Sequence, residues 1–188
     1  GIENTAVGSD SLKANTTGDY NVAVGGNALI TATTADSQTA IGYNALTANT
    51  TGQYNTAVGS AALATNTTAD NNTAVGRNSL LVNTTGASNV AIGASALTTN
   101  TTASNNTAVG TNACLYTTTG YAITALGTSA LQANTTGNQN TAIGYQASVA
   151  NTTGANNVAV GAYALDANTE GDNNVAIGLS SLGSNTTA

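Results

Sequence analysis

Side chains able to do acid–base, nucleophilic or metal chemistry are few in this chain, and their spacing assembles none of the usual sets. Eight carboxylates, Glu3, Asp10, Asp19, Asp36, Asp70, Asp166, Glu170 and Asp172, are scattered through 188 residues that contain no histidine. General acid–base catalysis uses histidine, or carboxylates tuned by burial and a neighbouring charge; scattered acids read as solvated surface groups. Cys114 is the single cysteine. It excludes an intrachain disulfide and any paired-cysteine metal or redox spacing, and it reads as a small apolar core residue. Lys13 and Arg77 are the only bases, and the formal net charge is −6. Nucleic acids and anionic membrane surfaces need clusters of Lys and Arg, so neither is expected as a partner. No catalytic, cofactor-binding or metal-ligating residue is assigned, and enzymatic activity is not expected.

What remains is amide and hydroxyl chemistry. The glycan-acceptor pattern N-x-[ST] occurs at Asn15, Asn49, Asn66, Asn83, Asn100, Asn134, Asn151 and Asn185, and again at Asn71 and Asn105. These ten asparagines are candidate acceptors for covalent glycans. The other reading is that Asn and Thr bond the backbone of a tight turn and form ladders between repeats. Ala32, Thr117 and Glu170 break the pattern without breaking its spacing, so the turn does not require it. Six tyrosines, Tyr20, Tyr43, Tyr54, Tyr121, Tyr145 and Tyr163, fall in or near variable turns. Surface aromatics there could stack on sugars, or simply face solvent.

The elements that carry these groups follow from a strict internal repeat. Gly8, Gly25, Gly42, Gly59, Gly76, Gly93, Gly110, Gly127, Gly144, Gly161 and Gly178 are 17 residues apart, eleven times without an insertion. Each follows Val, Ile or Leu, which follows Ala, which follows Thr or Val. A small residue and usually Leu come three and four places later, and the unit closes on a turn such as Asn49, Thr50, Thr51, Gly52. Seventeen residues are too few for a helix pair or a propeller blade. They suit two strands of about five residues and two turns, while recurrent Gly, Asn and Thr disfavour helix. The fold class expected is all-β, a parallel β-solenoid with one 17-residue repeat per coil and a rise of about 4.8 Å per coil.

Fixed spacing turns equivalent positions into rows along the axis. Val7, Val24, Ile41 and Val58 are expected to stack in one buried apolar row, and Leu12, Leu29, Leu46 and Leu63 in another. The intervening Ala row is expected on the opposite strand face. There its small side chains are expected to admit close packing of a second chain, the alternative being that they line a thin core of their own chain. Cys114 and Ser148 stand where Leu is expected, with Leu115 and Val149 one place later. Both small residues are expected to point inward.

Runs such as Asn140, Thr141, Ala142, Ile143, Gly144, Tyr145, Gln146, Ala147, and Asn89, Val90, Ala91, Ile92, Gly93, resemble head repeats of trimeric autotransporter adhesins. They are equally similar to repeats of bacteriophage and bacterial tail fibres. The resemblance covers the whole chain; adhesin head repeats are a few residues shorter, and the added length falls at the NTTG turn. It implies a left-handed parallel β-roll, three chains about one axis, and binding to host surface or matrix. The function expected is therefore a structural and adhesive shaft of an extracellular fibre on a cell surface or virion. Its expected partners are further copies, as homotrimer or filament, and a carbohydrate or protein receptor. The alternative is a surface-binding solenoid that presents Thr and Asn ladders to carbohydrate or ice. No apolar run approaches the roughly 20 residues of a membrane span. Residues 1–188 read as one array of eleven coils. Gly1 and Ala188 fall at the same phase and the terminal units match the central ones, so the array is expected to be a fragment of a longer fibre.

Overall fold

The computed structural model describes residues 1–187; Ala188, on which the expected equivalence of the two ends rests, lies outside the described residues. Eleven strands of three residues run from β1 (Thr5–Val7), β2 (Val22–Val24) and β3 (Thr39–Ile41) to β10 (Val158–Val160) and β11 (Val175–Ile177). They form one sheet in sequence order, every neighbour parallel. The register is unbroken, with Thr56 paired to Thr73, Ala57 to Ala74 and Val58 to Val75. The chain is a β-solenoid with one 17-residue repeat per coil. Coils are numbered here from their bend glycine, so coil 1 begins at Gly8 and coil 7 spans residues 110–126.

Each coil carries one short strand where two longer ones were expected. The remainder is turn backbone that still bonds from coil to coil: the Leu80 N–H donates to the Ala96 carbonyl at 3.0 Å, and the Val82 N–H to Thr98 at 3.1 Å. The strand is cut short by left-handed backbone. Three non-glycine residues per coil have positive φ, in coil 5 Asn78 (59°), Leu80 (48°) and Ser88 (58°). For a residue with a bulky side chain this conformation costs roughly 1–2 kcal/mol, so the stacking of coils must hold it in place. The bend glycine is demanded by space as well as dihedral. Gly59 has φ of 134°, and a Cβ there would lie 2.6 Å from the Gly76 carbonyl oxygen of the next coil.

The core corrects one expectation about faces. Leu29, Leu46, Leu63, Leu80, Leu97, Leu131 and Leu165 are fully buried, as is the strand Ala row from Ala23 to Ala159. The Val and Ile row points outward: Ile41, Ile92 and Leu126 are 39%, 40% and 47% exposed. Alanine therefore lines the chain's own thin core instead of packing against a second chain as expected, because a 17-residue coil leaves no room for a branched side chain opposite the Leu row. Cys114 and Ser148 do point inward, at 0% and 2% exposure, while Leu115 and Val149 lie half-buried at the next position.

Replacing Leu80 by Ala removes a fully buried side chain from a core with few layers. The expected loss is about 2–5 kcal/mol, and Gly59→Ala should destabilise as well by forcing Cβ into the next coil. Thermal or denaturant unfolding followed by circular dichroism reads both; melting unchanged from wild type would contradict the assigned core.

Candidate functional site: amide ladders and an open sheet face

The NTTG turn is the most regular polar feature of the repeat, and its asparagine is an interior residue. Asn49, Asn66, Asn83, Asn100, Asn134, Asn151 and Asn168 are fully buried. Each side-chain nitrogen closes its own turn: Asn83 Nδ2 donates to the Gly86 carbonyl at 2.9 Å. It also reaches along the axis. Asn83 Nδ2 donates to Asn66 Oδ1 at 3.0 Å, and Asn100 Nδ2 to Asn83 Oδ1 at 2.8 Å. Aligned amides thus form a column that Ala32 and Thr117 interrupt, and rungs such as Asn66 and Asn83 both donate and accept along it.

A second column stands just before each strand. Asn55 Nδ2 donates to the Ala69 carbonyl of the next coil at 2.8 Å, and Asn55 Oδ1 accepts the Asn72 N–H at 2.9 Å. The two columns converge on one carbonyl per coil: Ala103 O accepts from Asn100 Nδ2 at 3.0 Å and from Asn89 Nδ2 at 2.9 Å. The periodic Asn before each strand carried this signal in the sequence, but it read as the first residue of the β-rich run. Gln38 occupies this column with a longer side chain. Its Nε2 bonds the Asp36 and Gly52 carbonyls at 2.7 and 2.9 Å, and its Oε1 is left without a partner.

The two threonines of the turn divide their roles. The hydroxyl of the first is tied to the next coil, as Thr84 Oγ1 donates to the Thr101 carbonyl at 3.0 Å. The second, for example Thr51, Thr68, Thr85 and Thr102, is exposed in every coil, with Glu170 the one substitution. Asp19, Asp36, Asp70 and Asp172 cap backbone on the surface; Asp36 Oδ1 accepts the Asp19 N–H at 2.8 Å and Asp70 Oδ1 the Gln53 N–H at 2.7 Å.

Of the ten glycan candidates, Asn49, Asn66, Asn83, Asn100, Asn134 and Asn151 are buried rungs of the first column, and Asn15 and Asn185 are partly buried in the same row. Asn71 and Asn105 alone are exposed. The tyrosines named from the sequence are all exposed, and Tyr116, which the sequence reading passed over, is 52% exposed. Tyr145 and Tyr163 meet edge to face with ring centres 5.4 Å apart. Partial desolvation, then Tyr145 and Asp166, raise the Tyr163 phenol above its usual range. Burial pushes the Cys114 thiol up to about 12, against a smaller opposing effect of its bond to Thr117. Among the described residues there is no pocket, and no three of Cys, Asp and Glu gather as a metal site would need.

The outer sheet face is an extended surface formed by the outward strand residues. It has two rows, Thr or Val at the first strand position and Val, Ile or Leu at the third, and no charged residue among them. By strand and coil spacing it is about 50 Å long.

No family model, curated protein or solved structure matches the chain.

Truncating a rung orphans buried groups on both sides, so Asn83→Ala should cost about 2–4 kcal/mol. Thr85→Ala on the exposed row should stay within about 0.5 kcal/mol. Equal losses in denaturant unfolding would contradict the column. Expressed in a host with N-glycosylation, the folded product should carry glycan only at Asn71 and Asn105. Peptide mapping that finds occupied Asn66, Asn83 or Asn151 in folded protein would contradict the burial.

Proposed function

We propose that this chain is a structural and adhesive shaft of an extracellular fibre, in which copies lie side by side as a homotrimer or filament. The observation that carries the reading is the uncharged, β-branched outer face, which runs the length of the array. A row of Val, Ile and Leu facing outward beside a row of Thr and Val, with no charge along it, supports reading this face as an association surface. Its periodicity narrows the partner further. Ridges of Ile and Val recurring once per coil stay in register over eleven coils only against a surface of the same period, and a second copy of the chain has that period. In this assembly the buried amide columns resist axial and lateral strain, while the variable turns with Tyr43, Tyr145 and Tyr163 stay outward as the adhesive surface. Glycans at Asn71 and Asn105 fit an extracellular fibre, because both side chains are exposed.

A second reading rests on the exposed threonine of each NTTG turn. Its recurrence from Thr17 to Thr153, one hydroxyl per coil, favours a regular surface that binds carbohydrate or ice.

Sedimentation of the purified chain separates the two. The shaft reading expects an oligomer that Ile92→Lys with Leu126→Lys converts to a folded monomer, since both residues are already exposed in the single chain. A wild-type chain that stays monomeric at high concentration overturns it. The second reading expects glycan-array binding or inhibition of ice recrystallisation that is lost on replacing Thr51, Thr68, Thr85 and Thr102 by Ala.

A further inference from the structure

Three inward positions hold each coil to the next: the Leu row, the turn Asn column and the pre-strand Asn column. Coils 1, 3, 4, 5, 6, 8 and 10 carry Leu, Asn and Asn at these positions, as Leu97, Asn100 and Asn106 do in coil 6. Coil 2 loses the turn rung to Ala32 and carries the longer amide Gln38 in the second column but keeps Leu29, and coil 9 replaces only the Leu, by Ser148. Coil 7 alone replaces all three, with Cys114, Thr117 and Ile123.

The neighbours register each loss. Asn100 Oδ1 is buried without a partner, because Thr117 has no amide nitrogen to donate along the axis. On the far side Asn134 Nδ2 reaches Thr117 Oγ1 only at 3.5 Å, where the Asn–Asn rungs inside the array, Asn66 to Asn49 through Asn168 to Asn151, close at 2.8–3.0 Å and only the terminal Asn185 rung is as long, at 3.5 Å. Ile123 still donates its N–H to Asn106 Oδ1 at 3.0 Å, but its side chain offers no oxygen to the Asn140 N–H and no donor to the Gly137 carbonyl. That carbonyl keeps only its bond from Asn134 Nδ2, at 3.0 Å, of the pair seen at Ala103. Cys114 is smaller than the Leu it replaces, so the Leu row contributes less apolar contact where the ladders are already interrupted. A buried group that loses its partner costs more than the bond itself returned. In a stacked array, where each repeat contacts only its neighbours, such losses are local.

We propose that coil 7 is a built-in yield point: it opens from its neighbours ahead of the rest of the array and, in doing so, exposes the otherwise buried Cys114. An opened coil releases 17 residues of chain, so a fibre under axial load could lengthen there by several nanometres without unravelling elsewhere. The proposal concerns the single chain and does not depend on the shaft reading.

Cys114 is the chain's only thiol and serves as the probe. Its reaction with Ellman's reagent under native conditions reports opening of coil 7. Restoring the rungs with Thr117→Asn and Ile123→Asn should slow labelling about tenfold or more. In a second variant, Cys114→Leu with Leu80→Cys, the thiol moves to the same row of coil 5 between intact ladders and should also label at least about tenfold more slowly. Equal labelling rates at Cys114 and at the coil 5 cysteine, or no slowing on restoring the rungs, would overturn the yield point. If the double Asn variant does not fold, the comparison of the two thiol positions still decides the matter.

Discussion

Each coil must repeat the backbone path of the one before it at hydrogen-bonding distance, and the side chains that enforce this are the buried asparagines. Backbone bonds alone would permit a stack to slip or flatten, since a three-residue strand contributes little pairing of its own. An amide that closes its own turn and also bonds the same amide one coil away ties local shape to axial register. Asn66, Asn83 and Asn100 do this in succession. The left-handed backbone at Leu80 and its equivalents, the bend at Gly59 and the thin Leu and Ala core are tenable because register is already held. Cooperative chains of such bonds are strong when complete and costly when one member is missing.

This constraint separates inside from outside in an unusual proportion. With seventeen residues per coil, the interior admits one Leu, two Ala-sized side chains and two amides, and every branched strand residue is turned out. The outward turn of the Val and Ile row is thus a consequence of coil size rather than of loose packing. The same geometry that makes the single chain regular leaves it with an apolar face of matching period. Association between copies and stability within a copy therefore draw on different faces and can be altered separately.

Much of this order was legible in the sequence. The 17-residue spacing of the bend glycines specified a stacked array, the Leu row specified a core, and the placement of Cys114 and Ser148 in that row predicted their burial. The face of the strand was not legible, because Thr56, Ala57 and Val58 alternate identically whichever way the strand is turned; only the space available opposite Leu63 decides it. The extent of strand was overestimated for a related reason. Leu and Tyr do not advertise left-handed backbone, yet Leu46 and Tyr54 adopt it at φ of 50° and 57°. The buried amides were half legible: the ladder reading was open at Asn49 and its equivalents, but the column at Asn55, Asn72 and Asn89 was absorbed into the strand.

Side-chain amide hydrogen exchange, followed by NMR on the folded chain, tests the ladders most directly. Asn66, Asn83, Asn100 and Asn151 should hold their Nδ2 protons orders of magnitude longer than Asn71 and Asn105, whose side chains face solvent. Exchange of all these amides at the same solvent-limited rate would contradict the account.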